Sequence, residues 1–322
     1  LKDNRKLGKK MAMMRQPAAG PQDQNGTKER QRIVPGRIEG KTAVYSRLSA
    51  AFVRAALVIV LIMTPSVFLN EAGADGIQIV TLVAIFAAIF TVIEYTSASP
   101  SLVEFRDAPP FNRVRFIAIF GCVFLLSILC SNTENPSTVM RFAHVMGESI
   151  GGSIDFPYSP VRLMLVVLPH GTDPEIVSSM RTSAGLAYFI SLSSLAIFII
   201  LLRRNQWPRK TSQFNVWINL PTFDPTTGGD VVDRLSRDSQ INLILGFLLP
   251  FIIPAALKVS LYFFEPVNFA DPQTMIWTVT AWAFLPASLL MRGVALSRVS
   301  QMIFVQRKKA YAKAMAEGMQ PA

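Results

Sequence analysis

Six long apolar runs divide this chain, and the basic residues between them alternate in density. Of 32 Lys and Arg residues, 28 fall before the first run, in the second and fourth connecting segments, or after the sixth run. Only Arg141, Arg162 and Arg181 fall in the odd-numbered segments, and Lys258 lies inside a run. A run of about 20 apolar residues is long enough to cross a bilayer core as a helix. A lipid environment demands internally satisfied backbone, so the runs are read as helices. Bases concentrate on the cytoplasmic side of membrane proteins. The pattern therefore predicts an all-α integral membrane protein, a bundle of six transmembrane helices with N and C termini cytoplasmic.

The expected spans are about 55–69, 77–95, 116–130, 183–202, 241–264 and 275–291. They lie in a domain of 41–298, with an outer loop at 131–182 and a cytoplasmic loop at 203–240. Residues 1–40 read as a basic tail, disordered or extended, because few large apolar residues offset the entropy of folding. The chain is expected to turn helical near Lys41. Since it starts at Leu1, it is expected to continue a longer one. Residues 299–322 read as a basic helix and tail, with Val299, Met302, Ile303 and Val305 among Arg307, Lys308 and Lys309.

Composition agrees with this class. The chain is 51% apolar and 16% charged, whereas soluble domains carry about 25% charged residues. The net charge of +11 follows from the basic flanks. Nothing resembles a nucleic-acid-binding signature, so no nucleic acid is expected as a partner. Cys122 and Cys130 share one apolar run and read as small buried side chains.

The connecting segments carry fewer signals. Leu163–Leu168 is too short to span and suits a strand or a helix packed on the outer surface. Gly147–Ser153 reads as a loop because glycines and serines dominate it. Trp207 and Trp217 suit the headgroup level. Asp230 is placed to cap a short helix over Val231–Ser239.

Several residues are candidates for function. Lys258 is the only base within a span, where a charge near the centre costs about 2.5–3.5 kcal/mol. It reads either as a substrate contact or as a side chain reaching outward to the interface, and the second is preferred. Pro250 and Pro254 share a helix face, and each removes a backbone donor. They read as a packed kink, or as a break exposing carbonyls to an ion. Glu94, near the cytoplasmic end of the second span, reads as a solvated carboxylate or one paired with Arg106 or Arg113, or as part of a proton path, and the first reading is preferred. Arg203, Arg204, Arg209, Lys210, Arg307, Lys308 and Lys309 are candidate docking or lipid contacts at the cytoplasmic face. Small residues repeat at helical spacing at Ser183, Ala187 and Ser191, and at Ala84 and Ala88, and are expected to pack within the bundle.

No catalytic, cofactor or metal residues are assigned. His144 and His170 lie in the outer loop, away from any zinc-like spacing. Asp224, Asp230, Asp233 and Asp238 lack an accompanying glycine-rich phosphate loop. The reading is a non-catalytic polytopic protein, an accessory, scaffold or assembly subunit of a larger inner-membrane complex. Its expected partners are the lipid bilayer, anionic lipid headgroups and other membrane subunits. The alternative is a small-solute or ion transporter or channel with a kinked fifth span.

Overall fold

A computed structural model describes residues 35–69, 74–131, 136–204, 207, 214–224, 226, 228–264 and 267–317, with the side chains of 35–46, 74–75 and 216–217 left aside. Two compact units separate at residue 43, and the larger, 44–322, carries the bundle. Most of the expected tail, residues 1–34, lies outside the described residues.

The elements are α1 (Pro35–Phe68), α2 (Ala74–Thr96), α3 (Phe111–Leu129), α4 (Thr138–Ile154), α5 (Pro160–Val167), α6 (Pro174–Arg204), a helical turn α7 (Val216–Asn219), α8 (Val231–Ser260) and α9 (Pro272–Ala316). Among the described residues there is no strand. Six helices, α1, α2, α3, α6, α8 and α9, are long and apolar enough to cross a membrane.

Several helices outrun their apolar cores because polar caps start them early. The Asp230 carboxylate accepts from the Val232 amide at 2.8 Å, so the helix expected over Val231–Ser239 is the first part of α8. Asp271 caps α9 in the same way, accepting from the Thr274 amide at 2.8 Å, with Pro272 at the first position. At the start of α6 the Asp173 carboxylate accepts from the Glu175 amide at 2.8 Å. These side chains satisfy amides that the first turn of a helix leaves without intrahelical partners.

The segment at 131–182, expected as an outer loop, departs from the sequence-based expectation. Gly147–Ser153 is helical and belongs to α4. Its glycines lower helix propensity, but they serve close packing against α6. A Cβ on Gly151 would stand 2.8 Å from the Arg181 carbonyl oxygen, and one on Gly185 would run into the Gly151 Cα. The apolar stretch at 163–168 lies largely in α5, whose Val161 and Met164 are fully buried in one apolar core. Asp155 ties these pieces together, forming an ion pair with Arg162 at 2.7 Å and accepting a hydrogen bond from Arg181 at 2.8 Å.

α9 is the central helix and α2 the peripheral one: 67% of the most apolar stretch of α9 is buried, against 6% for α2. α8 and α9 approach through glycines. A Cβ on Gly246 would stand 2.8 Å from the Pro286 carbonyl, and one on Gly293 2.9 Å from that of Ser239. The Ser239 hydroxyl donates to the Gly293 carbonyl at 2.8 Å, a small-residue contact of the kind that joins helices in lipid. Ser183, Ala187 and Ser191 are buried, as are Ala84 and Ala88.

A second apolar core occupies the basic end of the bundle. Phe105, Phe111, Phe198, Trp207, Leu220 and Phe223 bury themselves against Leu235, Met291 and Leu296. Trp207, expected at the headgroup level, is packed inside the protein, 5.7 Å from the Phe105 ring. The Trp217 side chain lies outside the described residues.

Candidate functional site

At this basic end, the segment between α2 and α3 is folded onto the bundle by specific bonds. Glu94 is buried, and its carboxylate accepts from the amides of Ser101 (3.0 Å), Leu102 (2.9 Å) and Val103 (3.1 Å). The expected partner Arg106 instead donates to the backbone carbonyls of Glu94 at 3.0 Å and Ser97 at 2.6 Å. Glu94 is therefore the anchor of a turn. Successive amides bind an anionic group well, and here the anion is internal.

Glu104 follows. It receives a two-pronged contact from Arg292 of α9, at 2.7 and 2.8 Å, and a third bond from Thr222 at 2.9 Å. The Phe105 amide donates to the Asn219 carbonyl at 2.7 Å and the Asp107 amide to the Asn219 side chain at 3.1 Å. Phe105 has φ 52°, a left-handed conformation uncommon for a bulky residue. The Asn219 bond and its fully buried ring hold it there. Two connecting segments far apart in sequence thus form one organised cap.

Under that cap lies a cavity of about 1390 Å³. Its walls come from α1 (Arg54, Leu57), the end of α2 (Tyr95), the cap, the start of α3 (Arg113, Arg115), α8 (Leu249) and α9 (Leu285, Arg292). Five arginines, 54, 106, 113, 115 and 292, face two carboxylates, Glu104 and Asp107. Arg292 pairs with Glu104, and Arg106 with Asp107 at 3.5 Å. The other three have no carboxylate partner among the described residues. Arg54 lies 4.5 Å from the centroid of the Tyr95 ring and donates to the Ala50 carbonyl at 2.8 Å. Arg115 lies 5.0 Å from the Phe111 centroid, and its Nε is buried without a hydrogen-bond partner. Cation–π contacts hold both guanidiniums without neutralising them.

The other candidates do not converge on this cavity. Lys258 is at the opposite end of α8, beside a smaller cavity of about 330 Å³ with Leu168 and His170. Its Nζ donates to the Leu168 carbonyl at 3.4 Å. Pro250 and Pro254 are buried on one face of α8. Pro254 lacks the N–H that would otherwise reach the Pro250 carbonyl. The Trp282 indole of α9 supplies that donor at 3.1 Å. Replacing Trp282 with Phe is expected to cost about 1–3 kcal/mol by orphaning that buried carbonyl. Adding Pro254→Ala, which returns an N–H, should recover part of the loss. Detergent unfolding of the single and double variants measures this.

Arg203 and Arg204 are exposed in the last turn of α6, and Arg209 and Lys210 lie outside the described residues. Arg307 pairs with Asp230 at 2.6 Å, while Lys308 and Lys309 are exposed. The Val232 amide and the Arg307 guanidinium hold the Asp230 carboxyl below its ordinary range.

Arg54, Arg115 and Arg292 are not among the residues that the sequence marks as candidates, and Arg113 is marked only as a candidate partner of Glu94. Each lies where an apolar run meets its polar flank. The signal available is that three separate runs carry an arginine at this position, but a topological bias alone produces the same pattern.

The fold defines an all-helical protein with six helices long and apolar enough to cross a membrane. Compared with protein-family models, curated proteins and solved structures, the chain has no match.

Proposed function

We propose that this is a six-span protein of a bacterial inner membrane, with both termini cytoplasmic, acting without catalysis as an accessory, scaffold or assembly subunit of a larger membrane complex. The observation that carries this reading is the ordered basic face. Its connecting segments are tied down by the Glu104–Arg292 pair, the Phe105–Asn219 bond and the Arg307–Asp230 pair. Arg203, Arg204, Lys308 and Lys309 are exposed on the helices that reach it. A preorganised face loses less entropy on docking than a mobile one, and its charge suits acidic partners and anionic headgroups. The α2 helix adds a second surface, with Ile79, Leu82, Phe86 and Phe90 exposed to lipid or a neighbouring subunit.

Purification in mild detergent tests the proposal. Stable co-purification with a larger assembly supports it. A monodisperse lone protein that moves a solute in liposomes overturns it.

The transport alternative loses support from the bonds at its own residues. The Pro250 carbonyl is occupied by Trp282, and Lys258 reaches a carbonyl in the segment between α5 and α6. Lys258→Ala is accordingly expected to leave expression and any ion leak across liposomes unchanged. A flux abolished by this substitution would restore the alternative.

A further inference from the structure

We propose that the cavity at the basic end is a binding site for one anionic phospholipid, its phosphate on Arg54, Arg113 and Arg115 and its acyl chains along α1 and α9. The inference rests on the membrane reading but not on the subunit role. Three observations lead to it.

The first is charge. Two of the five arginines are matched by Glu104 and Asp107, leaving a surplus on the other three. The Arg115 Nε–H is buried with no acceptor. Its guanidinium lines the cavity beside the Phe111 and Phe284 rings, 5.0 and 6.0 Å from their centroids, with no carboxylate paired to it among the described residues. Arginine is suited to phosphate because its planar donors bind two oxygens at once and it is weakly hydrated.

The second is the gradient along the cavity. Its basic mouth leads onto Val53, Leu57, Leu285 and Leu289. Val53, Leu57 and Leu285 are exposed at the flank of the bundle, where a bilayer supplies hydrocarbon. A soluble phosphate would leave this half without a function. An acyl chain covers it and removes apolar surface from water.

The third is size. About 1390 Å³ exceeds the ~300–1,000 Å³ usual for small-molecule pockets, and fits a ligand with both a head and chains.

Native mass spectrometry of the full chain in mild detergent tests this with phosphatidylglycerol, phosphatidylcholine of the same chains, and inorganic phosphate. The expected result is one retained phosphatidylglycerol, bound at least about tenfold more tightly than phosphatidylcholine, whose phosphate is the same but whose choline cation meets the surplus arginine charge. Arg113→Gln with Arg115→Gln should remove that preference. Arg113→Gln alone, at an exposed position, should reduce it if the double variant does not fold. Val53→Trp should weaken both lipids by filling the apolar half. Equal retention of the two lipids, an unchanged preference in the folded arginine variants, or displacement of phosphatidylglycerol by equimolar phosphate would overturn the proposal. A lone protein that binds the lipid as expected would leave this inference standing while removing the subunit role.

Discussion

Gly185→Leu is expected to separate α4 from α6 and to destabilise the protein by about 3 kcal/mol or more, at or above the upper end of ordinary overpacking. The reason is that backbone meets backbone. A Cβ at Gly185 would enter the Gly151 Cα, with the Gly151 amide nitrogen only 2.9 Å away. No rotamer change relieves that collision, so the helices must move apart. Gly147 stands in the same seam, where a Cβ would come 2.7 Å from the Thr182 methyl. Gly152 provides the control. It lies in α4 as well, and a Cβ there would meet nothing within 4 Å. Gly152→Ala should therefore be neutral or gain up to ~1 kcal/mol from the restricted unfolded chain. Thermal unfolding in detergent, together with protease cleavage of α4, distinguishes the two. Equal stability of both variants would show that the α4–α6 crossing is looser than described.

Glu104→Gln should have the second largest effect. The carboxylate binds Arg292 at two points and Thr222 at a third, and joins the cap to the central helix. Of the two side chains, Arg292 is 28% and Glu104 11% exposed. A fully buried pair broken on one side loses about 3–5 kcal/mol. Partial exposure of the arginine lowers the expectation to about 1.5–3 kcal/mol, the range for hydrogen bonds to charged groups. The cap should open, and trypsin should cut at Arg106 faster than in the parent. Combining it with Arg292→Gln should cost less than the two single losses added, because both remove one shared interaction. Full additivity would mean that the pair does not couple the cap to α9.

The spans were readable because a bilayer-crossing helix needs a long apolar run, and such a run is a property of local sequence. The second run was expected at 77–95 and the apolar helix covers Gly76–Thr96. What was not readable depends on contacts between distant residues. The α4 glycines read as loop punctuation because their use, close approach to Gly185 and Arg181, lies over thirty positions away in sequence for the first of these. Trp207 read as an interfacial aromatic because its neighbours Phe105 and Phe214 come from both connecting segments.

The site was hidden in a different way. Arg54, Arg113 and Arg115 read as ordinary flanking bases, and the topological bias accounts for any base at such positions. Only their joint placement around one cavity, without carboxylate partners among the described residues, sets them apart. Glu94 is the converse. Its position among bases suggested an ion pair, yet backbone amides of its own following turn reach the carboxylate first. Lys258 was expected to reach outward or to meet a substrate, and its Nζ donates to the Leu168 carbonyl, a contact that depends on a segment ninety positions away in sequence.

A membrane-spanning bundle whose basic end, with its cap and cavity, faces the cytoplasm is tested most directly by cysteine labelling. With Cys122 and Cys130 replaced by Ala, His170→Cys and Thr226→Cys place single thiols at exposed positions in the segments expected on the outer and cytoplasmic sides. A membrane-impermeant maleimide should modify the first from outside intact spheroplasts and the second only in inverted vesicles. Modification of both from the same side would contradict this topology.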